Sequence, residues 1–324
     1  LDQDKDRSYI YFGTHQYIDD IGRLAIDHIV IPEAAIDTNQ KIIIESFPNF
    51  TLTFAVPSSN PSVQDLEKSY HDWHHPNKPP MEEPSIIITL PGDATDQTGK
   101  IKCFTRQSAD ELFEKILQLY ESQGKIHKII IQNSPRTGKH DQNGQVICPH
   151  EFVKGNDPSA AIDEISQYFT GLFDQKSIKY SFFNFAFEID GPRKKPLSVY
   201  NPLLYAAQSR GENFFILPAE SVSMIGQVPL YLYNNQIIAF RPDSMNAAHE
   251  AILQLAIKKD YLSCFSNGPE LVIPATISKR AEDDSVQVAA DIVKGCDKKF
   301  DPSKNIIPST ALPARTGSNK IVST

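Results

Sequence analysis

A chain of 324 residues with 40 % hydrophobic content is long enough for two domains of ordinary size, each with its own core. A formal net charge of −8 and a pI near 5.6 exclude a surface built to hold a nucleic-acid polymer, but leave room for a local basic pocket around one small anion. No run approaches the roughly 20 apolar residues that cross a bilayer, and no charged-then-apolar leader opens the chain at Leu1, so a globular, cytoplasmic protein is expected.

Four short runs come first. Tyr9–Gly13, Asp27–Pro32, Lys41–Phe47 and Thr51–Pro57 read as strands, rich in Val, Ile, Phe and Thr and bounded by Asn and Pro. Ser62–Tyr70 reads as one short helix, and residues 1–70 make a small first domain. Residues 71–84 hold four prolines, which remove backbone donors and oppose regular structure, so they read as the linker. His71, His74 and His75 lie there without further ligands to complete a shell, and no metal site is expected. The cysteines, Cys103, Cys148, Cys264 and Cys296, lack the paired spacing of a zinc or redox motif and are expected to be free thiols.

From Ser85 strands alternate with helices. Ile86–Leu90 is a β-branched strand, and Ser108–Gln123 a helix with Leu112, Ile116, Leu117 and Tyr120 on one stripe. Ile129–Ile131 is the next strand, Pro158–Phe173 a helix, and Tyr180–Ile189 a long aromatic strand. Asn201–Arg210 reads as a helix with Asn201 as cap and Pro202 at its first position, and Phe214–Leu217 as a strand. A helix starts at Ser221–Gln227, Pro229–Tyr233 is a strand, and Ala247–Lys258 a helix. This alternation predicts an α/β, Rossmann-like domain over 85–262, built on a parallel sheet. Residues 263–324 read as a partly irregular extension, with a short helix at Ser285–Val293.

Parallel strands bring their following loops to one edge, where ligands of open α/β sheets bind. After the first strand of 85–262 come Gly92, which permits close backbone approach, and Asp93, an acceptor for hydroxyls. After the second come Ser134, Arg136, Thr137, Lys139 and His140, with two cations suited to phosphate oxygens. The spacing is not that of a Walker loop. After Phe214–Leu217 come Glu220, Ser221, Val222 and Ser223 at a helix N-terminus, where free N–H groups and the helix dipole favour an anion. Asn201 falls near the same edge. Taken alone, each loop is equally an ordinary turn, cap or solvated charge cluster.

In this order, Ile87–Gly92, Asn133–Thr137, Asn201-Pro202-Leu203 and Pro218–Val228, with Ser-Val-Ser-Met at Ser221–Met224, resemble the plant mitochondrial-fission "elongated mitochondria" family and its bacterial relatives. The resemblance covers residues 85–262, and the first domain only through Asp27–Glu33. It implies a GT-B-like arrangement of two Rossmann-like domains, the C-terminal one binding a nucleotide-sugar, with an N-terminal domain so short that a strand and helix are expected to precede it. By the resemblance, Arg136, Thr137 and the backbone of Ser221–Ser223 hold the diphosphate and Glu220 lies near the sugar or ribose. The donor is then a substrate, no further cofactor is needed, and cations replace a metal.

Two departures stand out. Gln227 and Gly226 replace the family's Glu and the Ser before it, weakening the expected bond to a ribose hydroxyl. His15 and His140 are the candidate bases for sugar transfer, since histidine titrates near neutrality. The competing expectation is a non-catalytic adaptor that recruits a protein partner, as plant members of the family do. A sugar epimerase of the same fold would need an acid and base pair that the sequence does not display.

Overall fold

The computed structural model describes residues 10–12, 28–32, 50–53, 60–75, 78, 83–95, 99–124, 128–141, 143–147, 162–190, 193–209, 211–265 and 280–281. The chain divides into two compact units, one of Leu1–Thr53 with Asp284–Thr324 and one of Phe54–Asp283. In the smaller unit β1 (Ile10–Phe12), β2 (His28–Pro32) and β3 (Phe50–Thr53) form a three-stranded parallel sheet in that order. The runs expected at Lys41–Phe47 and Ser285–Val293 lie outside the described residues, as do Cys148, Cys296 and His15.

The larger unit opens with α1 (Val63–Asp72). Ser62 caps it: its Oγ accepts from Asp65 N at 3.1 Å while Asp65 Oδ2 accepts from Ser62 N at 3.0 Å, a reciprocal capping box. Ser62→Ala is expected to cost about 1 kcal/mol, read as a lowered urea midpoint at unchanged slope. The helix packs on a later one through Tyr70 and Tyr205, whose rings lie 5.6 Å apart, and through the Tyr205 hydroxyl, which donates to Glu67 Oε1. The division between units therefore falls before α1, and residues 71–84 connect two parts of one unit.

There follow β4 (Ser85–Thr89), the hairpin of β5 (Ala94–Thr95) and β6 (Ile101–Lys102), α2 (Arg106–Gln123), β7 (Lys128–Gln132), α3 (Glu164–Gln175) and β8 (Tyr180–Phe183). Next are β9 (Ala186–Asp190), β10 (Arg193–Leu197), α4 (Tyr200–Gln208), β11 (Phe214–Pro218) and α5 (Val222–Tyr231). A 3₁₀ turn, β12 (Ile237–Phe240), α6 (Ala247–Lys258) and β13 (Ser263–Cys264) complete the order. Six strands form one sheet in the order β13-β12-β11-β4-β7-β8, every pair parallel. The chain winds outward from β4 through β7 to β8, then returns to the other side of β4 and winds outward again through β11, β12 and β13. This is a doubly wound α/β sheet whose order reverses between β4 and β11.

β4 is buried along its whole length, as a central parallel strand covered on both faces must be. Ile86, Ile88, Ile129, Ile131 and Ile216 pack against Leu112, Phe113 and Ile116 of α2 and Phe169 and Phe173 of α3. Their neighbours in the strands, Ile87, Ile130 and Phe215, alternate to the opposite face, where Tyr200 of α4 lies edge-on to Phe215. Each such side chain contributes roughly 1.5–3 kcal/mol of transfer free energy. No helix among the described residues is long and apolar enough to cross a membrane.

The structure corrects the expected elements in three places. The long strand Tyr180–Ile189 is two strands: β8 stays in the sheet, whereas β9 pairs antiparallel with β10 in a separate hairpin. The expected strand Pro229–Tyr233 is the end of α5, which runs through Pro229 to Tyr231. Its buried residues Met224, Ile225, Val228 and Tyr231 follow the helical period, and burying that face outweighs the bond lost at the proline. The strand of that region is β12, starting at Ile237. Finally, α4 begins at Tyr200 after Val199, so Asn201 is its second residue and not its cap. Pro202 is third, among the first four positions whose N–H has no partner within the helix; Leu203 N makes the first bond, to Val199 O at 3.0 Å.

Candidate functional site

Loops at the C-terminal ends of β4, β7 and β11 meet where the strand order reverses. The loop after β4, Leu90–Asp93, is buried and tied on both sides. Asp93 N donates to Arg136 O at 3.0 Å, and Thr137 Oγ1 donates to Pro91 O at 2.8 Å. A Cβ on Gly92 would stand 2.8 Å from Arg136 Cβ, so this glycine serves the close approach of two loops. On the other side Gly92 N donates to Glu220 Oε1 at 2.7 Å, a bond across the reversal of the sheet.

Asp93 is almost fully buried. Its Oδ1 accepts from Phe104 N at 2.9 Å and its Oδ2 from His140 N at 2.8 Å, with His140 Nδ1 3.3 Å from the same oxygen. In the tautomer with its proton on Nδ1, the His140 ring donates to Asp93 and presents Nε2 as an acceptor. The pairing joins an expected hydroxyl acceptor and an expected base. Its signal in the sequence is weak, because 47 positions separate the partners.

The loop after β7 folds on itself. Ser134 N donates to Thr137 Oγ1 at 2.9 Å, Arg136 N to Ser134 Oγ at 3.3 Å, and Thr137 N to Ser134 O at 3.1 Å. Thr137 is wholly buried and Ser134 half-buried, so their hydroxyls shape the loop. Gly138 has φ +59°, and a Cβ there would meet Asp163 Oδ1 at 2.6 Å. Arg136 is exposed and Lys139 half-buried. Beneath the loop, Asn133 Nδ2 bonds Asn184 Oδ1 at 2.7 Å, Asp163 Oδ2 at 3.0 Å and Ser166 Oγ at 3.3 Å, and Asn133 Oδ1 accepts from Phe185 N at 2.5 Å. Asp163, the cap of α3, has the sequence signature of an N-cap followed by Ser166, but the proline at 158 drew the expected helix start away from it.

After β11, Glu220 is 2 % exposed and Ser221 is the N-cap of α5. Ser221 makes no side-chain capping bond; its Oγ lies 3.4 Å from Ser223 Oγ. Val222 is half-buried, Ser223 exposed, and Gln227 half-buried farther along the helix. Glu220 Oε2 is buried without a hydrogen-bond partner. Burial pushes the Glu220 carboxyl up to about 7, against the opposing pull of the Gly92 N–H and of Arg136. The half-buried Asn201, in the first turn of α4, belongs to this unit as well.

Among the described residues no group of three His, Cys, Asp or Glu is placed to hold a metal ion. His71 is in the last turn of α1, and the His75 ring packs edge-on against Phe183. Comparisons with protein-family models, with curated proteins and with solved structures each find no match.

Proposed function

We propose that the larger unit binds a nucleoside-diphosphate sugar at the C-terminal edge of its sheet and transfers the sugar to an acceptor hydroxyl. The observation that carries this reading is the exposed Arg136 guanidinium, without a side-chain partner among the described residues, on the loop after β7, with only the β4 loop between it and the N-terminus of α5, whose cap Ser221 makes no side-chain bond. A cation and free helix N–H groups at the reversal point of a doubly wound sheet suit a diphosphate. In the reaction the acceptor oxygen bonds to the anomeric carbon and the bond from that carbon to the diphosphate breaks. The electron pair leaves on the diphosphate, where Arg136, Lys139 and the α5 dipole stabilise it. The acceptor proton goes to Nε2 of His140, held by Asp93 as bases of this kind are held. In the GT-B-like arrangement that the sequence resembles, the smaller unit would serve the acceptor side.

One observation favours a second reading, a non-catalytic scaffold that recruits a protein partner. The Gly92 N–H, the backbone donor expected to meet a ligand, is occupied by Glu220. Calorimetry of UDP-, GDP- and ADP-sugars separates the two. On the enzyme reading at least one binds with millimolar affinity or better, and Arg136→Ala weakens it on the order of tenfold, the loss of one charge-assisted contact. Absence of binding by all three removes the enzyme reading and leaves the scaffold.

A further inference from the structure

The buried carboxyl of Glu220 is not needed for the chemistry above, yet it stands at the centre of the edge. It directly precedes the N-cap of α5, bridges to the loop after β4 through Gly92 N, and leaves Oε2 buried and unpartnered. From the loop after β4 the charged group facing it is Asp93, which disfavours its ionisation; from the loop after β7 it is Arg136, which favours it. His140 stands behind Asp93, on Oδ2. No cation among the described residues forms an ion pair with Glu220. Desolvation by burial outweighs the Gly92 N–H and the residue's own N–H, which favour the ionised form.

We infer that Glu220 couples anion binding at the N-terminus of α5 to the uptake of a proton, so that the site takes a diphosphate with Glu220 neutral and rejects it with Glu220 ionised. This inference rests on the diphosphate site proposed above and adds its regulation. A diphosphate at the first turn of α5 places like charge beside the carboxyl in a poorly solvated setting, which raises the proton affinity of Glu220 further. By linkage, the proton in turn raises the affinity for the diphosphate. The neutral acid keeps its Oε1 acceptor for Gly92 and has an O–H to offer in place of a repelling charge.

The test is calorimetry of the sugar nucleotides from pH 5.5 to 8.5, in two buffers of different ionisation enthalpy, on the whole protein and on Glu220→Gln. The donor's diphosphate does not titrate in this range. Wild type is expected to lose affinity on the order of tenfold between pH 6 and 8.5 and to take up a proton at pH 7 to 8. Glu220→Gln, isosteric and permanently neutral, is expected to bind independently of pH without proton uptake. Binding by wild type without proton uptake, or an equal pH slope in Glu220→Gln, overturns the coupling while leaving the site in place. Absence of binding by all three sugars removes the site and the coupling together. The buffer comparison on wild type needs no variant, so a Glu220→Gln protein that fails to fold leaves the inference open to refutation.

Discussion

Asn133→Ala is expected to lower the unfolding free energy by about 3 kcal/mol, through the loss of several buried hydrogen bonds at once. Asn133 is 3 % exposed, and its amide bonds groups from two places: Asp163 and Ser166 at the start of α3, and the Asn184 side chain and Phe185 N–H just after β8. Truncation removes these hydrogen bonds and leaves a small cavity; Asp163 and Ser166 keep their bonds to each other, so the cost is that of the bonds lost, each worth about 0.5–1.5 kcal/mol. Urea denaturation should show a lower midpoint at unchanged slope. A loss below about 1 kcal/mol would mean that these groups find other partners. Because Asn133 directly precedes the loop that carries Arg136, the variant should also weaken sugar-nucleotide binding without touching a charge.

Glu220→Gln has the second large effect, and it is a dependence on pH. The folded protein holds the Glu220 proton up to about pH 7, whereas the unfolded chain releases it near 4.5. Between those values the folded state binds more protons, so the stability that the neutral carboxyl allows is present below pH 4.5 and is lost as pH rises through 7. The whole shift corresponds to about 3 kcal/mol, an upper bound for a buried group. Glu220→Gln lacks this slope and retains an acceptor for Gly92 N. Urea midpoints at pH 4, 6 and 8 should therefore fall more steeply in wild type than in the variant. Parallel curves would show that the carboxyl is solvated in the folded protein.

The core of the larger unit was legible because burial on two faces leaves strong periodic signals. Ile86–Leu90 and Phe214–Leu217 are continuous apolar runs, and they form β4 and β11 with ends shifted by one residue. Ala247–Lys258 carries the cap Asn246 and a helical stripe, and α6 has those bounds. The failures have local causes. Pro229 is a strong breaker by propensity but lies on the buried face of α5, where tertiary packing overrides propensity. Tyr180–Ile189 is rich in aromatic residues along its length, yet Asn133 captures Asn184 and Phe185 where β8 ends and the chain leaves the sheet. That capture depends on a residue about 50 positions earlier, which no local window contains.

The candidate site was legible as a set of loops and not as a set of roles. By residue type Gly92, Asp93, Thr137 and Glu220 suit ligand contacts; in the structure their first partners are one another's loops. Small, hydroxyl and acidic residues at strand ends suit loop-to-loop bonding as well as ligand binding, so residue type alone does not distinguish the two. Arg136 and the uncapped α5 N-terminus are different, since the protein leaves them without side-chain partners among the described residues.

The reversal between β4 and β11 also bears on how the sheet assembles. Ile86 pairs with Ile129 on one side and with Phe214 on the other. β4, β7 and β8 can gather with α2 and α3 as one stretch of chain, and β11 to β13 with α5 and α6 as another. Joining them at β4 and β11 closes a loop of 128 residues, the separation spanned by both the Gly92–Glu220 bond and the bond from Ser85 N to Asn213 Oδ1. Loop-closure entropy opposes that pairing more than any other between neighbours in the sheet. The two side chains that stitch the seam, Asn213 at its base and Glu220 at its top, thus fasten the joint whose closure turns two winding halves into one sheet.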